Sequence, residues 1–303
     1  MSKLKLLKKK VLVTGANGLL GQKVVDVFVP DCEVVGSGTK SEPVFEDDTA
    51  SYSRCDITKR AEVVDLVKVV SPDYIVNAAA YTDVDGSEDD RETCWRVNVV
   101  GVENLAVAAL KVQAFLVHVS TDYVFDGTAD TVNECSKPNP LGYYGKSKLA
   151  GENALIRSDV QCAIVRTMVL YGLGYGLRPN FATWLVDKLS KQEPVRIVDD
   201  QVGHPTLVDD LALAIRRITE RRKAGIYHVT GRECVSRFSF ALELADVFGF
   251  DKSLISQIKT SDLKQKAPRP LMSNFDLKKL HTEVGLELSD VREGLLKFKQ
   301  QIQ

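Results

Sequence analysis

The residues best suited to chemistry are a tyrosine and a lysine four positions apart, Tyr144 and Lys148. On a helix this spacing places both side chains on one face. An ammonium group beside a phenol stabilises the phenolate and lowers the pKa of the phenol. The tyrosine could then exchange a proton while a carbonyl and an alcohol interconvert. Tyr144 is the only tyrosine with a lysine at this offset, since its neighbour Tyr143 has none.

Two hydroxyl side chains upstream of this pair, Ser120 and Thr121, directly follow the apolar run of residues 115–119. A hydroxyl at a strand end can hydrogen-bond the carbonyl oxygen that the tyrosine protonates. The combination predicts a site for carbonyl reduction or alcohol oxidation, built from a hydroxyl, Tyr144 and Lys148.

Three glycines, Gly15, Gly18 and Gly21, follow the apolar run of residues 11–13 and open a helical pattern. The first permits a tight turn, the second lets backbone amides approach a pyrophosphate, and the third allows close helix packing. A helix N-terminus also favours an anion. The motif predicts a dinucleotide-binding turn, and an ordinary strand–helix turn is the alternative. The turn also contains Asn17, Leu19 and Leu20.

The end of the second predicted strand carries hydroxyls and a lysine instead of an acid. An acid there would bind the adenosine ribose 2′-hydroxyl and disfavour a 2′-phosphate. Ser37, Thr39 and Lys40 suit a 2′-phosphate and favour NADPH over NADH, although Lys40 also fits a solvated loop. Asp56 and Ile57, after the next strand-like segment, are candidates for holding the adenine edge.

The elements that position these residues alternate along the first half of the chain. Strand-like runs occupy residues 11–13, 33–35, 74–76, 115–119 and 163–165, and helical patterns occupy 19–29, 61–70, 91–112 and 141–157. This order predicts an α/β fold with a Rossmann-type, doubly wound parallel sheet and a smaller C-terminal substrate-binding lobe. We expect a dinucleotide-binding domain over residues 1–170, which also receives 205–235, and a mainly substrate-binding lobe over 171–303.

Composition excludes several classes of protein. The 303 residues are 44% hydrophobic and 27% charged, as in globular chains. The net charge of −1 argues against bulk electrostatic binding of nucleic acid. No apolar run reaches the ~18 residues of a membrane span, and the basic N-terminus is interpreted as a solvated leader without a secretion signal. Scattered cysteines and histidines predict a cytoplasmic protein with reduced thiols and no metal site.

Together these motifs resemble the extended short-chain dehydrogenase/reductase superfamily and, within it, the dTDP-4-dehydrorhamnose reductases. The resemblance covers residues 10–295. Besides the glycine turn, it rests on residues 77–82, 120–127, 144–152, 166–167, 180–182, 200–206 and 269–270.

The resemblance implies NADPH-dependent reduction of the C4 ketone of dTDP-4-dehydro-6-deoxy-L-mannose to dTDP-L-rhamnose, with NADH as the other cofactor option. Tyr144 would give the proton. Lys148 would tune it and contact the nicotinamide ribose. Thr121 would polarise the ketone, and Ser120 could share or replace that role. The implied cofactor groove includes Ala78, Ala79 and Ala80. The implied substrate contacts are Tyr81, Thr82, Ser120, Thr121, Asp122, Val124, Asn180, Pro205, Thr206 and Arg269.

Three of the matching residues have alternative interpretations. Arg269 could pair with a diphosphate by bidentate geometry or lie on the surface. Asn98 matches a family asparagine that supports the central strand or a water near the lysine, but a polar helix cap fits equally. Arg166 could orient groups at the strand ends or serve as a buried structural arginine.

Two other functions remain open at this point. The superfamily contains a regulatory member, the β subunit of methionine adenosyltransferase, which keeps the fold and dinucleotide binding. A regulatory dinucleotide-binding subunit is therefore the alternative outside enzymes, and another nucleotide-sugar reductase or epimerase is the alternative among them. The expected partners are a dTDP-linked 4-keto-6-deoxy sugar and a second copy of the chain, with no nucleic acid or membrane.

Overall fold

The structure, a computed structural model, describes residues 8–45 and 50–302; most of the expected leader, residues 1–7, lies outside these ranges. The strands are β1 (Lys10–Thr14), β2 (Glu33–Gly38), β3 (Ser51–Arg54), β4 (Tyr74–Asn77), β5 (Phe115–Thr121), β6 (Cys162–Thr167), β7 (Leu170–Tyr171), β8 (Val195–Val198), β9 (Val202–Gly203), β10 (Thr206–Leu207), β11 (Gly225–His228), β12 (Val235–Ser236) and β13 (Ile255–Ile258). The α-helices are α1 (Leu19–Phe28), α2 (Arg60–Val70), α3 (Gly86–Asp89), α4 (Arg91–Trp95), α5 (Gly101–Val112), α6 (Tyr143–Ile156), α7 (Phe181–Ser190), α8 (Val208–Glu220), α9 (Arg237–Phe248) and α10 (Val291–Ile302).

A seven-stranded sheet organises the molecule in the order β3-β2-β1-β4-β5-β6-β11. Every neighbouring pair in it is parallel. The chain starts in the middle, winds outward through β2 and β3, and returns past β1 to β4. This reversal opens a crevice between β1 and β4 at the carboxyl edge of the sheet, where ligands bind in such folds. The predicted doubly wound parallel sheet is confirmed.

Helices cover both faces of the sheet because apolar residues occupy consecutive strand positions. In β1, Val11 and Val13 belong to one hydrophobic cluster and Leu12 to another. Successive side chains of a strand point to opposite faces, so each face carries its own core. Helices α1 and α8 pack together on one face, and α2 and α5 on the other.

A smaller lobe follows β7. Its core brings together Leu185 of α7, Phe240 and Leu244 of α9, and Leu295 and Phe298 of α10. The chain does not remain in this lobe, because α8 returns to pack on α1 and β11 pairs with β6 at the edge of the main sheet.

The helical pattern predicted for residues 91–112 is interrupted. Helix α4 leads into a π-helical turn, Arg96–Val100, before α5 begins. π-turns inside helices are rare and are frequent at functional sites.

Residues 8–45 and 50–302 contain no helix with the length and apolar character required to cross a membrane. They also contain no group of three or more His, Cys, Asp or Glu side chains arranged to hold a metal ion.

Candidate active site

The glycine turn forms a cradle at the crevice between β1 and β4. Gly15 has φ +72°, and a Cβ there would lie 2.6 Å from the backbone nitrogen of Ala79. A Cβ on Gly21 would lie 2.1 Å from the carbonyl oxygen of Gly15. Only glycine fits either position. Gly18 precedes α1, whose N-terminus has no side-chain cap, so its first amide groups are available to an anion. The cradle therefore fits a dinucleotide pyrophosphate.

A cavity of about 620 Å³ extends from this turn to the smaller lobe. Its lining includes half of the residues predicted for the site, among them all three predicted to be catalytic, on elements from both lobes. The expected residues among those lining it are Gly18, Leu19, Leu20, Gly21, Ala78, Ala80, Thr82, Ser120, Thr121, Asp122, Tyr144, Lys148 and Asn180.

Tyr144 and Lys148 lie one turn apart on α6 and meet Thr121 at the end of β5. The Thr121 hydroxyl is hydrogen-bonded to the Tyr144 phenol and donates to Asp122 Oδ1 at 3.0 Å. The Lys148 Nζ donates to the carbonyl oxygen of Val119 at 2.6 Å. Because α6 passes the end of β5, the Tyr144 and Lys148 side chains line the same cavity as Thr121.

Burial controls the proton affinity of this pair. It raises the pKa of Tyr144, and the hydrogen bond with Thr121 offsets only part of the rise. Burial lowers the pKa of Lys148 to about 8, while the Glu152 carboxylate opposes the shift. The expected lowering of the Tyr144 pKa by Lys148 is not found, because burial outweighs the other influences and Nζ bonds the Val119 carbonyl. A phenol that keeps its proton at neutral pH suits a proton donor.

Ser120 belongs to a buried ionic network beneath the site. Its hydroxyl donates to Glu152 Oε1 at 2.5 Å. The same carboxylate accepts from Arg166 Nε at 3.0 Å and Nη2 at 2.6 Å. Arg166 is 2% exposed and Glu152 is fully buried. The network ties α6 to the ends of β5 and β6, so Arg166 orients groups at the strand ends from a buried position.

Asn98 lies within the π-turn and makes buried hydrogen bonds on two sides. Its Oδ1 accepts from the Tyr81 backbone N–H at 2.9 Å, and its Nδ2 donates to Ser147 Oγ at 2.9 Å. The side chain is 1% exposed and joins the loop after β4 to α6. It is not a helix cap. Tyr81 contributes its backbone to this junction, and its side chain is not part of the cavity lining.

The residues predicted for the adenosine end lie at the ends of β2 and β3, outside the cavity lining. Ser37 is buried, and its hydroxyl has no hydrogen-bond partner within the described ranges. Thr39 and Lys40 are exposed, and Lys40 meets Tyr52 through its carbonyl oxygen.

Three further cofactor candidates have mainly structural contacts. Asn17 accepts from the Val44 backbone N–H at 3.0 Å. Asp56 accepts from Thr58 Oγ1 at 2.8 Å, and Ile57 is buried in the core between α2 and α5.

Four residues implied for the substrate lie elsewhere. Val124 is fully buried in a small core with Phe125. Thr206 is buried, and neither it nor Pro205 lines the cavity. The Arg269 guanidinium binds both carboxylate oxygens of Asp85 at 2.9 and 3.0 Å, so its charge is already paired. The bidentate partner of Arg269 here is a carboxylate of the protein.

Sequence reasoning missed Arg237, which lines the cavity at the first position of α9. Its guanidinium lies 5.5 Å above the Phe181 ring, and burial lowers its pKa. Within residues 8–45 and 50–302 the guanidinium makes no side-chain hydrogen bond and no ion pair within 4.0 Å, although the Asp122 carboxylate is near enough to act against the lowering of its pKa. A cation at a helix N-terminus is disfavoured by the helix dipole, and this was the signal available in the sequence. Gln201, Tyr123, Met168 and Ser273 were also missed.

Comparisons with known proteins show the family of the chain. Residues 9–303 match the family model described as RmlD substrate binding domain. A dTDP-4-dehydrorhamnose reductase from Aggregatibacter actinomycetemcomitans is 34% identical, over 94% of this chain and 97% of that protein. Methionine adenosyltransferase 2 subunit beta from Xenopus tropicalis is 36% identical, over 92% of this chain and 83% of that protein.

A solved structure is similar to this chain in both fold and sequence. The crystal structure of dTDP-4-dehydrorhamnose reductase from Bacillus anthracis in complex with NADP superposes with a TM-score of 0.88 and is 31% identical. The similarity covers 97% of this chain and all of that one. The resemblance found in the motifs is confirmed, and the chain belongs to the RmlD substrate-binding-domain family.

Proposed function

We propose that this protein is an NADPH-dependent reductase that converts the C4 ketone of dTDP-4-dehydro-6-deoxy-L-mannose to the alcohol of dTDP-L-rhamnose. The observation that carries the proposal is the convergence of Thr121, Tyr144 and Lys148 on a cavity that begins at a glycine cradle. The relatives from A. actinomycetemcomitans and B. anthracis, named as dTDP-4-dehydrorhamnose reductases, support the substrate class.

The residues divide the chemistry between them. NADPH supplies a hydride when it is bound, with the glycine cradle holding its pyrophosphate. Thr121 donates a hydrogen bond to the ketone oxygen and polarises the carbonyl. Tyr144 then transfers its phenolic proton to that oxygen. Lys148 would hold the nicotinamide ribose when the cofactor is bound, while burial is the main influence on the pKa of Tyr144. In this proposal Ser120 acts only through Glu152, because its hydroxyl donates to that buried carboxylate at 2.5 Å, whereas Thr121 turns from its longer bond to Asp122 at 3.0 Å towards the ketone.

The direct test is incubation of the purified protein with NADPH and enzymatically generated dTDP-4-dehydro-6-deoxy-L-mannose. We expect loss of NADPH absorbance and stoichiometric formation of dTDP-L-rhamnose. An epimerase would change the sugar without net consumption of NADPH. A regulatory subunit, which the similarity to methionine adenosyltransferase 2 subunit beta favours as the second candidate, would bind NADPH, show no turnover and co-purify with a partner enzyme.

We assign recognition of the substrate diphosphate to Arg237 and not to Arg269. An unpaired, half-buried guanidinium facing a cavity attracts an anion, whereas Arg269 is neutralised by Asp85. Replacing Arg237 with methionine should raise KM by about 10- to 100-fold, because hydrogen bonds to charged groups contribute about 1.5–3 kcal/mol. We expect kcat to change much less. Steady-state kinetics measure both.

Arg269→Met is the matched control for Arg237. It should lower thermal stability by leaving Asp85 unpaired while KM stays close to the wild-type value. A large rise in KM for Arg269→Met, with little change for Arg237→Met, would reverse the assignment.

The preference for NADPH is assigned to the end of β2. Replacing Lys40 with glutamate should weaken NADPH binding by roughly 10-fold, because a like charge then faces the 2′-phosphate. NADH has no such phosphate and should lose little affinity. Fluorescence titration with both cofactors measures the difference. Equal losses for NADPH and NADH would remove Lys40 from the 2′-phosphate site. Lys68→Glu, at an exposed position in the last turn of α2, is the charge-matched control and should affect neither.

The proposal extends to the organisation of the protein. Residues 1–170, with 205–235, would bind the cofactor, and 171–303 would mainly hold the nucleotide sugar. We also propose that the protein is cytoplasmic and forms a homodimer. All six cysteines are free thiols, which fits the reducing environment of the cytoplasm. Light scattering of the purified protein would report its mass in solution.

A further inference from the structure

A row of buried polar side chains crosses three neighbouring strands and ends at Lys148. Thr14, Asn77 and His118 are register neighbours on β1, β4 and β5, and each is at most 1% exposed. Thr14 Oγ1 donates to Asn77 Oδ1 at 2.7 Å. Asn77 Nδ2 lies 3.0 Å from His118 Nδ1, and His118 Nε2 lies 3.5 Å from Lys148 Nζ.

A backbone N–H group determines which atoms of this row donate and which accept hydrogen bonds. The Ala79 N–H, which can only donate, points to Asn77 Oδ1 at 3.1 Å. The oxygen of the Asn77 amide therefore faces Ala79 and Thr14, and its NH₂ group faces His118. An amide NH₂ only donates, so His118 Nδ1 must accept. Burial also keeps the pKa of His118 well below its usual value, so the ring is neutral. A neutral imidazole that accepts at Nδ1 carries its proton at Nε2.

This tautomer of His118 affects the protonation of Lys148. The His118 Nε2–H points at Nζ, and an ammonium group cannot accept it, whereas a neutral amine can. The other titratable groups that act on the charge of Lys148 are Glu152 on α6 and Cys94 on α4, and Tyr144 lines the same cavity. Nζ also donates to the Val119 carbonyl at 2.6 Å, which both an ammonium and a neutral amine can do. The Glu152 carboxylate favours the ammonium, but Arg166 and Ser120 already engage it.

We propose that His118 is a positioning residue, held in its Nε2–H tautomer by Asn77, that shifts Lys148 towards its neutral amine. Lys148 can then gain and lose a proton near neutral pH, which a lysine in water does not do. The direction agrees with the effect of burial, which lowers the pKa of Lys148 to about 8. The catalytic use of this equilibrium rests on the proposed function, whereas the tautomer and the titration are properties of the protein alone.

The first test is the ¹⁵N spectrum of histidine-labelled protein, in which protonated and unprotonated ring nitrogens have well-separated shifts. The chain has only four histidines, so single substitutions assign the His118 signals. We expect the proton on Nε2. A proton on Nδ1 would overturn the proposal. This measurement uses the wild-type fold and needs no turnover, so an inactive enzyme with the expected tautomer would refute the proposed reaction alone.

The second test is Asn77→Asp, which keeps the shape of the side chain but replaces the donor with an acceptor. The proton of His118 should move to Nδ1, leaving Nε2 to accept from a Lys148 ammonium. The titration of the Lys148 Cε, followed by ¹³C spectroscopy of lysine-labelled protein, should then move up by about one pH unit, the equivalent of roughly one hydrogen bond.

The matched control is Asn104→Asp, another buried asparagine, whose amide bonds the Ile57 carbonyl. It should leave both the His118 tautomer and the Lys148 titration unchanged. Asn77→Asp also adds a negative charge, which would raise the Lys148 pKa even without His118, so the double variant with His118→Phe is compared. If Asn77→Asp left the Lys148 titration in place, if Asn104→Asp moved it equally, or if the rise persisted in the double variant, the tautomer would not control Lys148. In active enzyme, the alkaline limb of kcat/KM should move with the Lys148 titration in Asn77→Asp alone.

Discussion

Replacement of Tyr144 by phenylalanine should lower kcat by about 100- to 10,000-fold, the usual contribution of a positioned proton donor. The ring remains and only the phenolic proton is lost, so packing against Tyr123, 5.7 Å away between ring centroids, should persist. NADPH affinity should therefore stay close to wild type. Steady-state kinetics and a cofactor titration on the same preparation measure the two effects separately.

Tyr143→Phe provides the control. Tyr143 is the preceding residue on α6, and its ring lies under Arg91 at 5.1 Å instead of facing Lys148. It should retain nearly full activity. Equal losses in the two variants would show that the damage comes from the start of α6. Full activity in Tyr144→Phe would remove the proton-donor role.

Replacement of Glu152 by alanine should destabilise the fold by about 3–5 kcal/mol, the cost of leaving a buried charge without its partner. The Arg166 guanidinium would remain 2% exposed or less beneath the site, with no carboxylate to bind. Ser120 would lose its acceptor as well. The free energy of unfolding from urea denaturation measures the loss.

Two comparisons make this prediction specific. Glu243→Ala removes one partner of the exposed Arg292 pair and should cost less than about 1 kcal/mol. The double variant Glu152→Leu with Arg166→Met removes both buried charges and should recover much of the stability lost in Glu152→Ala. Similar losses in the free energy of unfolding for Glu152→Ala and Glu243→Ala would show that the buried ion pair contributes no more to stability than the exposed one.

The sequence predicted those parts of the site and fold in which a residue type has a single physical role. Gly15 and Gly21 are required because a side chain at either position would collide with backbone. Tyr144 and Lys148 could be paired because the helical period alone puts them on one face. Strand order followed from β-branched runs separated by helical patterns, which leave few topologies for a parallel sheet.

Prediction failed where function depends on contacts between segments distant in sequence. Arg269 and Asp85 are separated by 184 positions, so their ion pair has no local signal. Arg237 stands in no motif and reaches the cavity only because α9 starts beside Gln201, whose carbonyl accepts its backbone N–H. Val124 follows directly after two cavity residues, yet its side chain turns into a small core.

The pKa of Tyr144 also could not be predicted from the sequence. Spacing indicates that an ammonium and a phenol are neighbours, but not how much water each loses. Burial raises the pKa of the phenol and lowers that of the amine, so the two shifts follow from the depth of the cavity and not from the spacing of the pair.

The most direct test of the proposed reaction is the fate of deuterium from NADPH labelled at the transferable position of its nicotinamide. The labelled cofactor, the protein and dTDP-4-dehydro-6-deoxy-L-mannose are incubated together, and the product is analysed by mass spectrometry and NMR. We predict dTDP-L-rhamnose with one deuterium at C4, formed at similar rates by wild type and Tyr143→Phe and at least about 100-fold more slowly by Tyr144→Phe. An unchanged ketone recovered from wild-type protein that binds NADPH would contradict the proposed reaction.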